Sequence, residues 1–80
     1  MTVQHPGNIL RKALEDEKMS LAAAAEKIGV TKATLSRLIN QKQSLTPELA
    51  IKISILCRKH PLVLLTCQNE HDLARLGWEG

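Results

Sequence analysis

Lys32, Ala33, Ser36, Arg37 and Asn40 recur in this 80-residue chain at intervals of one, three and four. On a helix turning about 100° per residue they share an arc of roughly 140°, with Leu35 and Leu38 together on the other side and Ile39 at their margin. Two cations, a hydroxyl, an amide and a methyl on one face suit an array of hydrogen-bond acceptors. Arg37 can offer two parallel donors to guanine O6 and N7, a contact worth ~1–3 kcal/mol of discrimination between bases. Lys32 can reach a base edge or a phosphate, Ser36 can serve either, and Ala33 leaves room for close approach or a thymine methyl. Thr31 and Thr34 stand at the start of the same helix, where hydroxyls and free backbone N–H groups suit phosphate oxygens. Lys42 and Gln43, in the loop that follows, are placed for the flanking phosphate. Lys27 is a weaker candidate, at the far end of the preceding helix.

The elements that must hold this face lie in Ser20–Asn40, SLAAAAEKIGVTKATLSRLIN. Ser20 is a good N-cap for an Ala-rich helix over Leu21–Ile28, whose small side chains let a neighbouring helix come close. Gly29 stops it, because glycine tolerates the left-handed conformation that follows many helix ends. Thr31 then caps a third helix running to about Asn40. Two short helices around a tight turn are the sequence form of a helix-turn-helix, whose second helix enters the DNA major groove. The expectation is therefore a protein that binds duplex DNA.

Around this unit the pattern is helical throughout. Residues 1–5 read as loose, and Pro6 suits the first turn of a helix. Ile9, Leu10, Ala13 and Leu14 give that helix one apolar stripe to near Glu17, and Lys18-Met19 connects it to Ser20. Gln41–Ser44 is a polar loop. Thr46, Pro47 and Glu48 form a helix start with N-cap, first-position proline and first-turn acid, leading to a fourth helix that ends near Arg58. His60-Pro61 opens a fifth, Pro61 to about Leu76, whose LVLL start is apolar all round. Ile51 and Ile55 lie off the Leu49-Ile53-Leu56 stripe. With Leu62, Val63 and Leu64 they form either a dimer or partner surface, or a contact under helix five within one subunit.

Composition supports one small all-α domain. Apolar residues make up 44% of the chain, yet there is no Phe or Tyr and only one Trp, so Leu, Ile, Val and Ala must build the core. The net charge of +3 says less than its distribution. Between the acids Glu26 and Glu48, the only charges are Lys27, Lys32, Arg37 and Lys42, all positive. A solvated basic face is the plainer reading of that pattern. Cys57 and Cys67 form no CxxC, and His5, His60 and His71 share no ligand spacing with them, so neither a metal nor a cofactor is expected. Glu15-Asp16-Glu17 reads as a solvated helix end. No nucleophile stands with a base, which argues against an enzyme. The MTVQHPG start lacks an apolar signal core and no apolar run reaches membrane-spanning length, so a cytoplasmic protein is expected.

Over roughly His5 to Leu73 the chain resembles the HigA-type antitoxins, a branch of the Xre/Cro-like helix-turn-helix family. The resemblance is carried by His5-Pro6-Gly7, Ala24-Ala25, Gly29-Val30-Thr31, Leu35-Ser36 and Leu45-Thr46-Pro47, then by Ala50, Pro61, Leu65, Gln68 and Asp72-Leu73. It implies a five-helix lambda-repressor-like (Cro/C1-type) domain that dimerises, binds an operator palindrome and represses its own operon. It also implies a partner, a HigB-type mRNA-cleaving toxin that the protein neutralises. Lys32, Ala33 and Arg37 match the base-reading positions of Cro-like repressors, and Thr31, Ser36 and Lys42 match positions that support or contact the DNA backbone. The chain departs from the pattern at Leu64, where such antitoxins usually carry Trp, at His71, often an aromatic, and at Gln41, usually Gly. A stand-alone dimeric repressor and a toxin-masking module with little DNA affinity are the competing readings.

Overall fold

Each helix begins where the sequence supplies an acceptor for the unpaired N–H groups of a first turn. The hydroxyls of Ser20, Thr31 and Thr46 accept from the backbone N–H of Ala23, Thr34 and Leu49 at 3.1, 3.1 and 3.3 Å. His5 and His60 do the same through Nδ1, accepting from Gly7 and Leu62 at 2.9 and 3.0 Å. A computed structural model of the chain describes residues 5–77, and among them the elements are α1 (Pro6–Asp16), α2 (Leu21–Ile28), α3 (Lys32–Ile39), α4 (Pro47–Cys57) and α5 (Pro61–Arg75), with no strand. This is the five-helix architecture expected from the sequence, with boundaries displaced by about a residue.

His5 corrects one expectation. The sequence puts it in a loose N-terminal stretch, yet only 3% of it is exposed. Its ring is held from two sides, by the cap bond to Gly7 and by edge-on contact with the His71 ring, 4.7 Å between centroids at 86°. Residues 1–4 of that stretch lie outside the described residues.

Helix ends are less conventional than helix starts. Gly29 takes the left-handed conformation as expected, φ 73°. Lys18, Gln41 and Arg58 adopt it too, at φ 51°, 59° and 55°, although each carries a side chain. Such a conformation costs a non-glycine residue ~1–2 kcal/mol. At two of these ends it is offset by pairing carbonyls that would otherwise be unmet. Lys18 and Met19 donate to Glu15 and Leu14 at 3.1 and 2.9 Å, and Gln41 and Lys42 donate to Leu38 and Arg37 at 3.1 and 2.8 Å.

The core is aliphatic. Leu10 and Leu14 of α1 meet Ala24, Ala25 and Ile28 of α2, Leu35 and Leu38 of α3, and Leu49, Ala50, Ile53 and Leu56 of α4, with Leu45 and Leu64 completing it. Leu64 is fully buried, which removes it from the interface proposed for it. Its neighbours Leu62 and Val63 are exposed, as are Ile51 and Ile55. The start of α5 is thus apolar all round in sequence but one-sided in its packing.

Two polar or close contacts fix how the helices meet. Gln68, one turn beyond Leu64 on the buried edge of α5, accepts from the Leu45 N–H at 2.8 Å and donates to Asp72 Oδ1 at 2.9 Å. That ties α5 to the segment leading into α4. Gly7 lies directly against the Leu38 carbonyl, so α1 reaches the C-terminal turn of α3 with no space for a side chain.

Candidate nucleic-acid interface

α3 is seated by Leu35 and Leu38, both without exposed surface, and by the turn behind it, where Val30 donates to Ala25 at 3.0 Å. Those contacts turn the opposite face outward. Lys32, Ala33, Arg37 and Asn40 are exposed along it, with Thr31 at its start and Lys42 just past its end; Thr34, Ser36 and Gln43 are half-buried. The arc expected from helical spacing is therefore the arc that faces solvent.

Four of the expected residues form one connected cluster. Arg37 donates from Nε to Gln43 Oε1 at 3.1 Å and from Nη2 to Thr34 Oγ1 at 3.5 Å. Thr34 Oγ1 in turn lies 2.8 Å from Thr31 Oγ1, which also accepts the Thr34 N–H. The Thr34 hydroxyl thus bridges Arg37 and the helix cap. Asn40 Nδ2 leans on Ser36 Oγ at 3.4 Å. Lys32, Ala33 and Lys42 stand apart from this cluster.

The positive charge of the face is not cancelled from within. The ion pairs among the described residues are Glu48–Lys52 at 3.8 Å, Glu17–Arg58 at 3.1 Å and Asp72–Arg75 at 3.8 Å, and none includes Lys32, Arg37 or Lys42. Unpaired cations on one face raise the local potential felt by an approaching polyanion.

Other chemistry is not assembled. Among the described residues no three His, Cys, Asp or Glu side chains gather as a metal would need. Cys57 and Cys67 are free, and burial pushes the Cys57 thiol up to about 11 against the opposing pull of Lys59. No helix described is long and apolar enough to cross a membrane.

The helix-turn-helix family profile, HTH_3, matches residues 10–64, which is most of the chain and all of α2 to α4. The chain belongs to the helix-turn-helix family. As such it is similar to the HTH-type transcriptional regulator YddM of Escherichia coli K12, 38% identical over 69 residues that span 86% of this chain and 73% of that protein. Among solved structures, an antidote protein of a plasmid maintenance system from Nostoc punctiforme superposes with a TM-score of 0.87 at 29% identity, over 95% of this chain and 84% of that one. Antitoxin HigA from Pseudomonas aeruginosa, solved with the higBA promoter, superposes at 0.84 with 25% identity, over 94% and 83% of the two chains. These relatives are regulators and antitoxins, not enzymes, and the two solved structures share this chain's fold.

Proposed function

We propose that this helix-turn-helix protein is a sequence-specific DNA-binding antitoxin that represses its own operon and neutralises a HigB-type mRNA-cleaving toxin. The observation that carries the DNA half is the outward face of α3, with Lys32, Ala33 and Arg37 exposed and no acidic side chain among the described residues paired to its cations. Arg37 and Lys32 read base edges, Ala33 allows the approach, and Thr31, Ser36 and Lys42 meet the backbone phosphates. Thr34 and Gln43 stand beside Arg37 at the margin of this face. The likeness to a HigA solved with promoter DNA supports DNA binding by this fold.

The antitoxin half rests on likeness to antidote and antitoxin proteins, joined by the exposed Ile51, Ile55, Leu62 and Val63. Those side chains would be covered in a homodimer or by the toxin, in the cytoplasm where operator and ribosome are both found. A dimer would address two half-sites about one helical turn, ~34 Å, apart.

A band-shift titration on the chain's own promoter duplex, against a scrambled duplex of equal length, tests the DNA half. Specific binding that weakens steeply with salt is expected, because phosphate contacts release counterions. Unchanged promoter affinity after K32A and R37A together would remove α3 from the reading. Co-purification with the product of the adjacent reading frame tests the antitoxin half. A stable heterocomplex with no specific shift would favour a toxin-masking module, the reading that the exposed apolar residues support. A specific shift with no complex would leave a stand-alone repressor.

A further inference from the structure

An arginine side chain carries five N–H donors and no acceptor, so whichever donors are already engaged decide how it meets a base. Arg37 Nε and Nη2 form the lateral edge of the guanidinium. Both are taken, Nε by Gln43 Oε1 at 3.1 Å and Nη2 by Thr34 Oγ1 at 3.5 Å. The three that remain, both Nη1–H groups and the second Nη2–H, include the terminal pair, held in one direction by partners before and after Arg37 in the sequence. A long side chain that would otherwise lose rotamer freedom on binding is thereby ordered beforehand.

Gln43 reaches this position only because α3 ends as it does. On a continuing helix it would sit six residues, or ~9 Å, beyond Arg37. The left-handed Gln41, with Lys42 N–H donating to the Arg37 carbonyl at 2.8 Å, reverses the chain and brings Gln43 back beside the arginine. Since arginine can only donate, the Gln43 amide must turn its oxygen toward Arg37.

We propose that Gln43 is a positioning residue for base recognition: it clamps the lateral edge of Arg37, so that the terminal donor pair reads a guanine end-on. The proposal rests on α3 being the DNA-reading helix and assigns Gln43 a role other than phosphate contact. Loss of Gln43 then lowers discrimination at one base pair and leaves general DNA affinity alone. Loss of a phosphate contact would weaken every duplex alike.

The test measures full-length wild type, Q43A, Q43E, R37A and the Q43A/R37A double variant. The probes are the promoter duplex, the same duplex with each G·C pair in turn changed to A·T, and a scrambled duplex. R37A should erase wild-type discrimination at one pair, a loss of about 5- to 150-fold. Q43A should lower discrimination at that same pair by about tenfold, a part of that range. Affinity for the scrambled duplex should stay within about twofold, and Q43A should add nothing in the R37A background. Q43E keeps an acceptor of equal length. It should retain the discrimination while binding every duplex more weakly, through repulsion of phosphate.

A uniform loss in Q43A that adds to that of R37A overturns the proposal in favour of a phosphate contact. Unchanged discrimination in Q43A overturns it as well. A wild type that binds promoter and scrambled duplex equally overturns the DNA reading itself, which is a different result from either.

Discussion

Replacing Gly7 by Ala tests whether α1 sets the seat of the recognition helix. The added Cβ would stand 2.9 Å from the Leu38 carbonyl carbon and 3.0 Å from His5 Nδ1, and nearer still to the Leu38 oxygen. Carbon pairs rest at ~3.5–4.0 Å, so α1 and the last turn of α3 must part by roughly 0.6–1 Å. The obstacle is backbone in a hydrogen-bonded helix end, which cannot swing aside as a side-chain tip would. Overpacking of this kind costs ~1–3 kcal/mol, and occasionally more. Alanine's better helix propensity returns at most ~1 kcal/mol. The net expectation is a loss of about 1–2 kcal/mol, or a Tm lower by about 4–16 °C for a domain of this size. Circular dichroism melts of the full chain measure this. Promoter affinity, taken at a temperature where both proteins are folded, should also fall, because α3 is displaced with its whole outward face. A G7A protein melting within about 2 °C of wild type would refute the close contact and the reasoning built on it.

Three further outcomes follow from particular contacts. Burial, with the nearby His71 adding to it and Asp72 opposing, holds the His5 imidazole below its ordinary 6.5, and a protonated Nδ1 could no longer accept the Gly7 N–H. The unfolded chain therefore binds this proton first, so stability should be full above pH 6.5 and fall as pH drops from there through the lower folded value. Urea titrations across that range should show the loss in wild type and a smaller one in H5N, which can cap without titrating; a wild type as stable at pH 5 as at pH 8 would contradict it. Gln41→Gly should raise stability by about 0.5–1 kcal/mol, since the left-handed strain removed slightly exceeds the chain entropy that glycine adds. An unchanged or lower urea midpoint would count against the strain. Gln68→Ala leaves the Leu45 N–H without its partner and should cost about 1–3 kcal/mol, read as a lower urea midpoint; a midpoint equal to wild type would show that the tie contributes nothing.

Much of the frame was legible because it is written locally. Ser20, Thr31 and Thr46 cap the helices that their positions announced, and Gly29 takes the left-handed turn. Leu35 and Leu38 are buried and Lys32, Ala33 and Arg37 exposed, as 3.6-residue periodicity requires. What was not legible depends on residues distant in sequence. Leu64 looks like surface in an all-apolar run until α4 is laid against it. Gln68 matched a family pattern with no physical reason attached, and the reason is a backbone N–H 23 residues earlier. Gly7 would pass for an ordinary helix-start residue were Leu38 not pressed against it. His5 lies next to residues outside the described range, yet it is fixed by a partner on α5. The Arg37–Gln43 bond spans only six residues, but it crosses a helix end whose left-handed residue is glutamine rather than glycine, so propensity gives no sign of the reversal.

A core with no Phe or Tyr in the chain has a consequence for how this fold keeps its identity. Leu, Ile and Ala attract one another without direction, and aliphatic interiors accept rearrangement as long as volume and pattern are kept. Such an interior supplies cohesion but few instructions about angle or register. Those instructions come from a handful of contacts that work in only one geometry: the His5 imidazole over Gly7, Gly7 against the Leu38 carbonyl, and Gln68 on Leu45. Core residues should therefore drift readily among similar aliphatics over many generations, while the positions that act as locating pins should tolerate almost nothing else.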